Sequence, residues 1–265
     1  MAREEMREPL RERVTEVLRR LETDVSLVAE SMQSWSTPYL RLQEPRYLDT
    51  VTFMDRHALG GKVLEVGSAP GYFTVVLAEL GYDVTGVDMD PERFRAFIDK
   101  HGLNIVKADV ETERLPFDDD TFDTVLFAEI IEHLRINPLH ALREACRVLK
   151  PQGRILVTTP NISPVDRIMF VFGRDYQEDP ATGFSRLEQL GHMGHVRLYS
   201  AGEVERFLEC TGFINARRAY AGPWRGGWKG RILRSFDPRR ERWRAFLFVT
   251  AEKPGPDRDG REETG

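Results

Sequence analysis

Two short stretches of this chain carry side chains whose types and spacing suit chemistry. The first is Glu129-Ile130-Ile131-Glu132-His133, which places two carboxylates and an imidazole at i, i+3 and i+4. If a helical turn begins at Glu129, all three share one face. Two carboxylates converging on a pocket repel each other unless something positive lies between them, and Glu/His sets on helices serve as divalent-metal ligands. The same residues also read as a charged helix start with a packing histidine. The second stretch is the turn Gly67-Ser68-Ala69-Pro70-Gly71, with Glu65 two residues before it and Asp88 following at the end of the next apolar run. A strand that enters a helix through glycines presents bare backbone N–H groups and a positive helix end to a ligand. A carboxylate at the end of the following strand can accept hydrogen bonds from both hydroxyls of a ribose. A nucleoside-type cofactor is the expectation.

The elements that must position these residues are legible as α/β alternation. Val63–Val66 is a β-prone run, Tyr72–Leu80 has apolar residues at helical spacing, and Val84–Val87 is a second strand. Pro91 opens a helix through Phe94, Phe97 and Ile98; Asn104–Ala108 is a strand ending on Asp109, and Thr124–Ala128 is a strand ending at Glu129. A helix over Pro138–Leu149 and a strand over Arg154–Thr159 complete another unit. Ser200 and Glu203 form a capping box before Val204, Phe207 and Leu208. Phe213–Tyr220 and Ala245–Ala251 lack a helical crossover and are expected to pair antiparallel. The dinucleotide fingerprint G-x-G-x-x-G fails twice, at Ala69 and Tyr72, which disfavours a nicotinamide oxidoreductase and favours a cofactor without phosphates.

E-x-G-x-x-x-G with a following strand that ends in Asp resembles the first two motifs of class I S-adenosylmethionine-dependent methyltransferases. LPFDDDTFDTV and LKPQGRILVTTPN resemble the ubiquinone-biosynthesis-like (type 11/23) small-molecule members, over about residues 60 to 160 and again over 195 to 220. The resemblance implies a Rossmann-like seven-stranded α/β sandwich, mostly parallel with an antiparallel last strand. It implies S-adenosyl-L-methionine held by Glu65, Gly67, Ser68, Ala69 and Gly71, by Asp88 with Met89 at the ribose, by Asp109 and Val110 at the adenine, and beside Ala128. E-I-I-E-H is also similar to the E-V-I-E-H stretch of small-RNA 3′-end 2′-O-methyltransferases. That similarity implies a Mg²⁺ or Mn²⁺ set of Glu129, Glu132 and His133, closed by His195, five residues before Ser200; His192 is the alternative. Without a metal, His133, His192 or His195 would act as general base. The expected activity is methyl transfer to a hydroxyl of a small molecule. Methylation of an RNA 2′-hydroxyl, metal-independent N- or C-methylation and a noncatalytic cofactor-binding role are the alternatives.

A chain of 265 residues fits one α/β domain with additions. Residues 1–50 form an amino-terminal helical region expected to lid the pocket, 51–253 the methyltransferase domain with an insertion at 161–199, and 254–265 a disordered tail. Within the first region an amphipathic helix, then a second through Val28 and Met32, precede a loop or short helix over Ser34–Arg46, whose Trp35 and Tyr39 are candidates for the pocket or the core. Ile168–Phe172 is expected to act in a pocket lid or to pin a surface excursion to the core. The net charge of -5 carries no global polyanion signature. Ten basic residues against two acids between Arg217 and Arg244, interleaved with Trp224, Trp228 and Trp243, nevertheless form a local basic segment. It reads first as a solvated hairpin loop, with nucleic acid or an anionic membrane as further partners. Cys146 and Cys210 read as buried packing thiols, and the charged amino terminus without an apolar core points to the cytoplasm.

Overall fold

The computed structural model describes residues 7–27, 30–173, 179–190 and 194–256. Seven strands form one sheet: β1 (Lys62–Val66), β2 (Asp83–Asp88), β3 (Ile105–Lys107), β4 (Phe122–Ala128), β5 (Leu149–Pro160), β6 (Ile214–Trp224) and β7 (Arg244–Glu252). Their spatial order is β3-β2-β1-β4-β5-β7-β6. The first five run parallel, and β7 lies antiparallel to both β5 and β6. Chain order therefore reverses between β1 and β4, so connections leave in opposite directions and open a crevice at the carboxyl ends of those two strands.

The helices are α1 (Arg7–Glu22), α2 (Glu30–Arg56), α3 (Tyr72–Glu79), α4 (Arg95–Lys100), α5 (Pro138–Val148), α6 (Pro164–Val171), α7 (Pro180–Leu190), α8 (Ala201–Cys210) and α9 (Gly227–Ser235). Period-two alternation in the strands sends successive side chains to opposite layers. Leu126 packs with α1 to α4, whereas Val125 and Phe127 pack with α5 and α8.

Several local expectations are corrected. Ser34–Arg46 is no loop: it lies within α2, which runs through Pro38 and Pro45. A proline inside a helix costs about 3 kcal/mol. Burial of Leu40, Tyr47, Val51 and Met54, each 4% exposed or less, returns roughly 1.5–3 kcal/mol per side chain, enough to offset both prolines. The Arg225–Trp243 segment is also more ordered in secondary structure than a solvated loop, since it holds α9 and a 3₁₀ turn at Arg240–Trp243. In the insertion, Ile168, Phe170, Val171 and Phe172 are all exposed and do not pin it to the core. Cys146 is half-buried and Cys210 exposed, so neither is a core thiol. Among the described residues no helix is long and apolar enough to cross a membrane. Val28 and the tail from residue 257 lie outside the described residues, and the side chain of Trp35 does too.

Candidate active site

The turn after β1 is built by two glycines that need left-handed backbone. Gly67 has φ +72° and a Cβ there would come within 2.6 Å of Ile130 Cδ1; Gly71 has φ +103° and would meet Leu103 Cδ1 at 2.6 Å. The turn's N–H groups are not bare, contrary to the sequence expectation. Gly67 and Ser68 donate to the Val87 carbonyl (2.8 and 3.2 Å), Gly71 donates to the Ser68 carbonyl (2.7 Å), and Ala69 donates to Asp88 Oδ2 (3.1 Å). The turn thus fastens the end of β2 rather than cradling a phosphate, which matches the loss of the dinucleotide glycines. Asp88 also accepts from the Asp90 N–H (3.0 Å) through Oδ1, and burial raises its carboxyl above the usual range. Each of its oxygens retains a lone pair for a hydroxyl donor.

One small pocket at the β1/β4 switch joins Glu65, Gly67, Ser68, Ala69 and Ala128. Its other wall comes from α2 through Tyr39, Arg46 and Tyr47, which the sequence reading did not single out, apart from Tyr39. Asp88 and Met89 stand at the carboxyl end of β2 and just beyond it; Asp109 and Val110 follow β3. Asp109 closes a turn, accepting from the Glu111 N–H (2.9 Å) and the Thr112 hydroxyl (2.8 Å). Glu65 is buried, accepts from the Thr74 hydroxyl (2.7 Å), and is pushed up to about 8, chiefly by burial.

A carboxyl whose folded-state pKa lies above its ordinary value makes the folded state bind the extra proton. Stability from Glu65 is therefore fully present below about pH 4.5 and is lost as pH rises towards 8. Between pH 6 and 7 the loss should be about 1 kcal/mol. Denaturant midpoints of the parent and of Glu65→Gln test this; parallel pH profiles for the two proteins would remove Glu65 as the cause.

After β4 the chain does not turn directly into a helix. Glu129 has φ +58°, and only Ile131–His133 form a 3₁₀ turn. This sends Glu129 to Arg46, 3.0 Å away, with both side chains 9% exposed. Glu132, His133 and His195 come together instead, their ligand atoms all within 4.8 Å of one another. Glu129 is not in that group.

The geometry that gathers the three is specific. Val196 and Arg197 donate backbone N–H groups to the Glu132 carbonyl (2.8 and 3.3 Å), which delivers His195 from the far side of the insertion. The Thr159 hydroxyl donates to Glu132 Oε2 (2.9 Å), while Glu132 Oε1 is buried without a hydrogen bond and lies 4.0 Å from His195 Nε2. His133 Nδ1 faces the Gly194 carbonyl at 3.1 Å, so in the neutral ring Nδ1 carries the proton and Nε2 the lone pair. Burial, reinforced by the nearby Glu129 charge, pushes the Glu132 carboxyl well above the usual range. An orphaned buried oxygen and two imidazoles form a donor set that suits a borderline divalent cation. His192 lies outside the described residues.

Glu111 is a further residue missed from sequence, after Arg46 and Tyr47. Buried at the end of the β3 connection, it accepts the N–H groups of Arg135, Ile136 and Asn137 (2.9, 2.6 and 2.8 Å), holding the loop that follows His133. No periodic pattern marks it, because its partners are backbone atoms of a distant loop.

Comparison with known proteins places this geometry in a context. The family model described as "Methyltransferase domain" matches residues 39–217. A ubiquinone biosynthesis O-methyltransferase from Aeromonas salmonicida is 25% identical over 64% of this chain and 70% of its own length. Its counterpart in Xanthomonas oryzae is 31% identical over 44% of this chain, and the match spans half the length of that relative. Among solved structures, a SAM-dependent methyltransferase of Thermotoga maritima superposes with a TM-score of 0.57 at 20% identity, covering 84% of this chain and 97% of that one.

Proposed function

The chain belongs to the methyltransferase domain family and is an S-adenosylmethionine-dependent methyltransferase, and from that premise we propose that it methylates a hydroxyl oxygen of a small-molecule acceptor beside a divalent cation. The observation that carries this reading is the meeting of Glu132, His133 and His195 at the end of β4, immediately after the pocket residue Ala128. The relatives named for O-methylation support the choice of oxygen.

S-adenosylmethionine supplies a methyl already activated on a sulfonium, so no covalent enzyme intermediate is required. In this reading Asp88 accepts the ribose hydroxyls, Asp109 and Val110 meet the adenine, and the turn from Gly67 to Gly71 meets the methionine portion. Arg46, buried in the pocket wall, faces an amino-acid carboxylate, and Glu65 its ammonium. A divalent cation held by Glu132, His133 and His195 would lower the pKa of a bound hydroxyl. The protein's own task is then positioning: Thr159 orients Glu132 and Gly194 orients His133.

Asp88→Ala should weaken S-adenosylhomocysteine binding by roughly 1.5–3 kcal/mol, through loss of two charge-assisted hydrogen bonds. Calorimetry on the folded variant measures it, and unchanged affinity would take Asp88 out of the ribose role. The acceptor class is tested by a methyl-transfer screen over catechols, sugars, lipid quinones and short RNAs, with and without divalent metal. Product on a nitrogen or carbon atom alone would overturn the proposal.

A further inference from the structure

A larger pocket, about 580 Å³, opens beyond the carboxyl end of β5. Its walls come from α6, the first turn of α8, β6 and the 3₁₀ turn that precedes β7. Four arginines line it: Arg167, Arg218, Arg239 and Arg242. Two of them are engaged, Arg218 with Glu205 and Arg242 with Asp237. Arg167 and Arg239 have no ion pair among the described residues.

Among the described residues, the carboxylates beside them are already engaged with other partners. Asp166, next to Arg167, caps α6 through the Ser163 N–H and hydroxyl (2.8 and 2.6 Å) and pairs with Arg225. Asp237 accepts from the Arg239 N–H, Arg242 Nε and Trp243 Nε1 (2.9, 2.8 and 2.8 Å), which holds its carboxyl down at about 2. Glu241, the single acid in the lining, pairs with Arg244 at 2.6 Å. Glu203 closes the capping box of α8 on Ser200. The first-turn residues of that helix, Ala201 and Gly202, also line the pocket, and N–H groups at such positions have no partner within their own helix.

Two arginines from separate elements, with no ion pair among the described residues, line one cavity together with a helix amino end and make it cationic. We propose that this pocket is an oxyanion subsite that holds a phosphate group carried by the acceptor. Guanidinium forks and first-turn amides are the donors that match phosphate oxygens. Two short chain segments link the pocket to the Glu132, His133 and His195 cluster. Asn161 lies two residues after Thr159, just past the end of β5, and Ser200 five residues after His195. An acceptor anchored by phosphate at one end would present a hydroxyl to Glu132, His133 and His195 at the other. Only the identity of the phosphate's carrier rests on the methyltransferase reading; the anion site itself does not.

The test is calorimetric titration of the full chain with inorganic phosphate at low ionic strength, alongside sedimentation with vesicles of phosphatidic acid in phosphatidylcholine and of phosphatidylcholine alone. The variants are Arg167→Gln/Arg239→Gln and a charge-matched control on α9, Lys229→Gln/Arg231→Gln. Saturable phosphate binding that weakens at least about tenfold in the first pair and stays within about twofold in the control supports the subsite. Phosphatidate-dependent sedimentation with the same pattern supports it with a lipid as the carrier. No binding in the parent by either route, or equal losses in both variants, overturns it. Titrating S-adenosylhomocysteine into the same samples separates the two readings, since loss of cofactor binding would leave the phosphate result standing.

Discussion

Turnover should fall roughly 10²–10⁴-fold when the enzyme is stripped with EDTA and return when Mn²⁺ or Mg²⁺ is added back, because a coordinated cation contributes several kcal/mol to charge stabilisation in the transition state. Glu132→Gln is the sharpest variant. It keeps the volume of a fully buried side chain and an oxygen for the Thr159 hydroxyl, but removes the charge. Metal affinity itself gives a readout apart from activity: Mn²⁺ binding by calorimetry should be lost in Glu132→Gln and in His195→Ala. It should also weaken as pH falls, since the Glu132 carboxyl sits above its usual range and a ligand must be deprotonated to coordinate. Full activity in chelator, with no Mn²⁺ binding by the parent, would return the three side chains to plain acid–base work. Activity would then follow the titration of one imidazole.

Arg46→Ala should cost about 3–5 kcal/mol of folding stability, the amount expected when one partner of a buried ion pair is removed. The reason lies in what stays behind. Glu129 is held in left-handed backbone with one carboxylate oxygen on Arg46 and the other buried without a hydrogen bond. Without the guanidinium, that carboxylate must take up a proton or drag in water. Burial opposes the charge on Arg46, and the Glu129 carboxylate is the main interaction that favours it. Arg46→Met with Glu129→Gln removes both charges and should recover much of the loss. Chemical denaturation of the parent, Arg46→Met, Glu129→Gln and the double variant measures the coupling. A loss under about 1 kcal/mol in Arg46→Ala would mean that the pair is solvated and that α2 is held by its apolar face alone.

The βαβ unit around Gly67 was legible because local chemistry over-determines it: glycines at two left-handed positions, a short β-prone run before them and helical period after them. The antiparallel β6/β7 pair was expected as well, although the segment between the two strands holds α9, and the strand order became visible only in the fold. Period could not reach α2, where two prolines argue locally for a break and burial against α1 and α3 decides otherwise. The turn amides were misread for a related reason. Glycines announce that backbone can approach something, but whether that something is a ligand or the end of β2 depends on where β2 lies.

By itself the amino-acid sequence determined the α/β alternation, the cofactor-type turn with its carboxylate at the end of β2, and the nearness in sequence of Glu132 and His133. Each of these rests on residues within one element or its neighbour, where spacing is geometry. Only the tertiary structure decided that Glu129 leaves the metal-type set for Arg46 and that His195 joins Glu132 across an intervening insertion. It also decided that Asp166 pairs with Arg225 and Asp237 with Arg242 rather than with the side chains of Arg167 and Arg239. Most of those outcomes turn on contacts between segments tens of residues apart, and on a single positive φ that a helical spacing rule cannot anticipate.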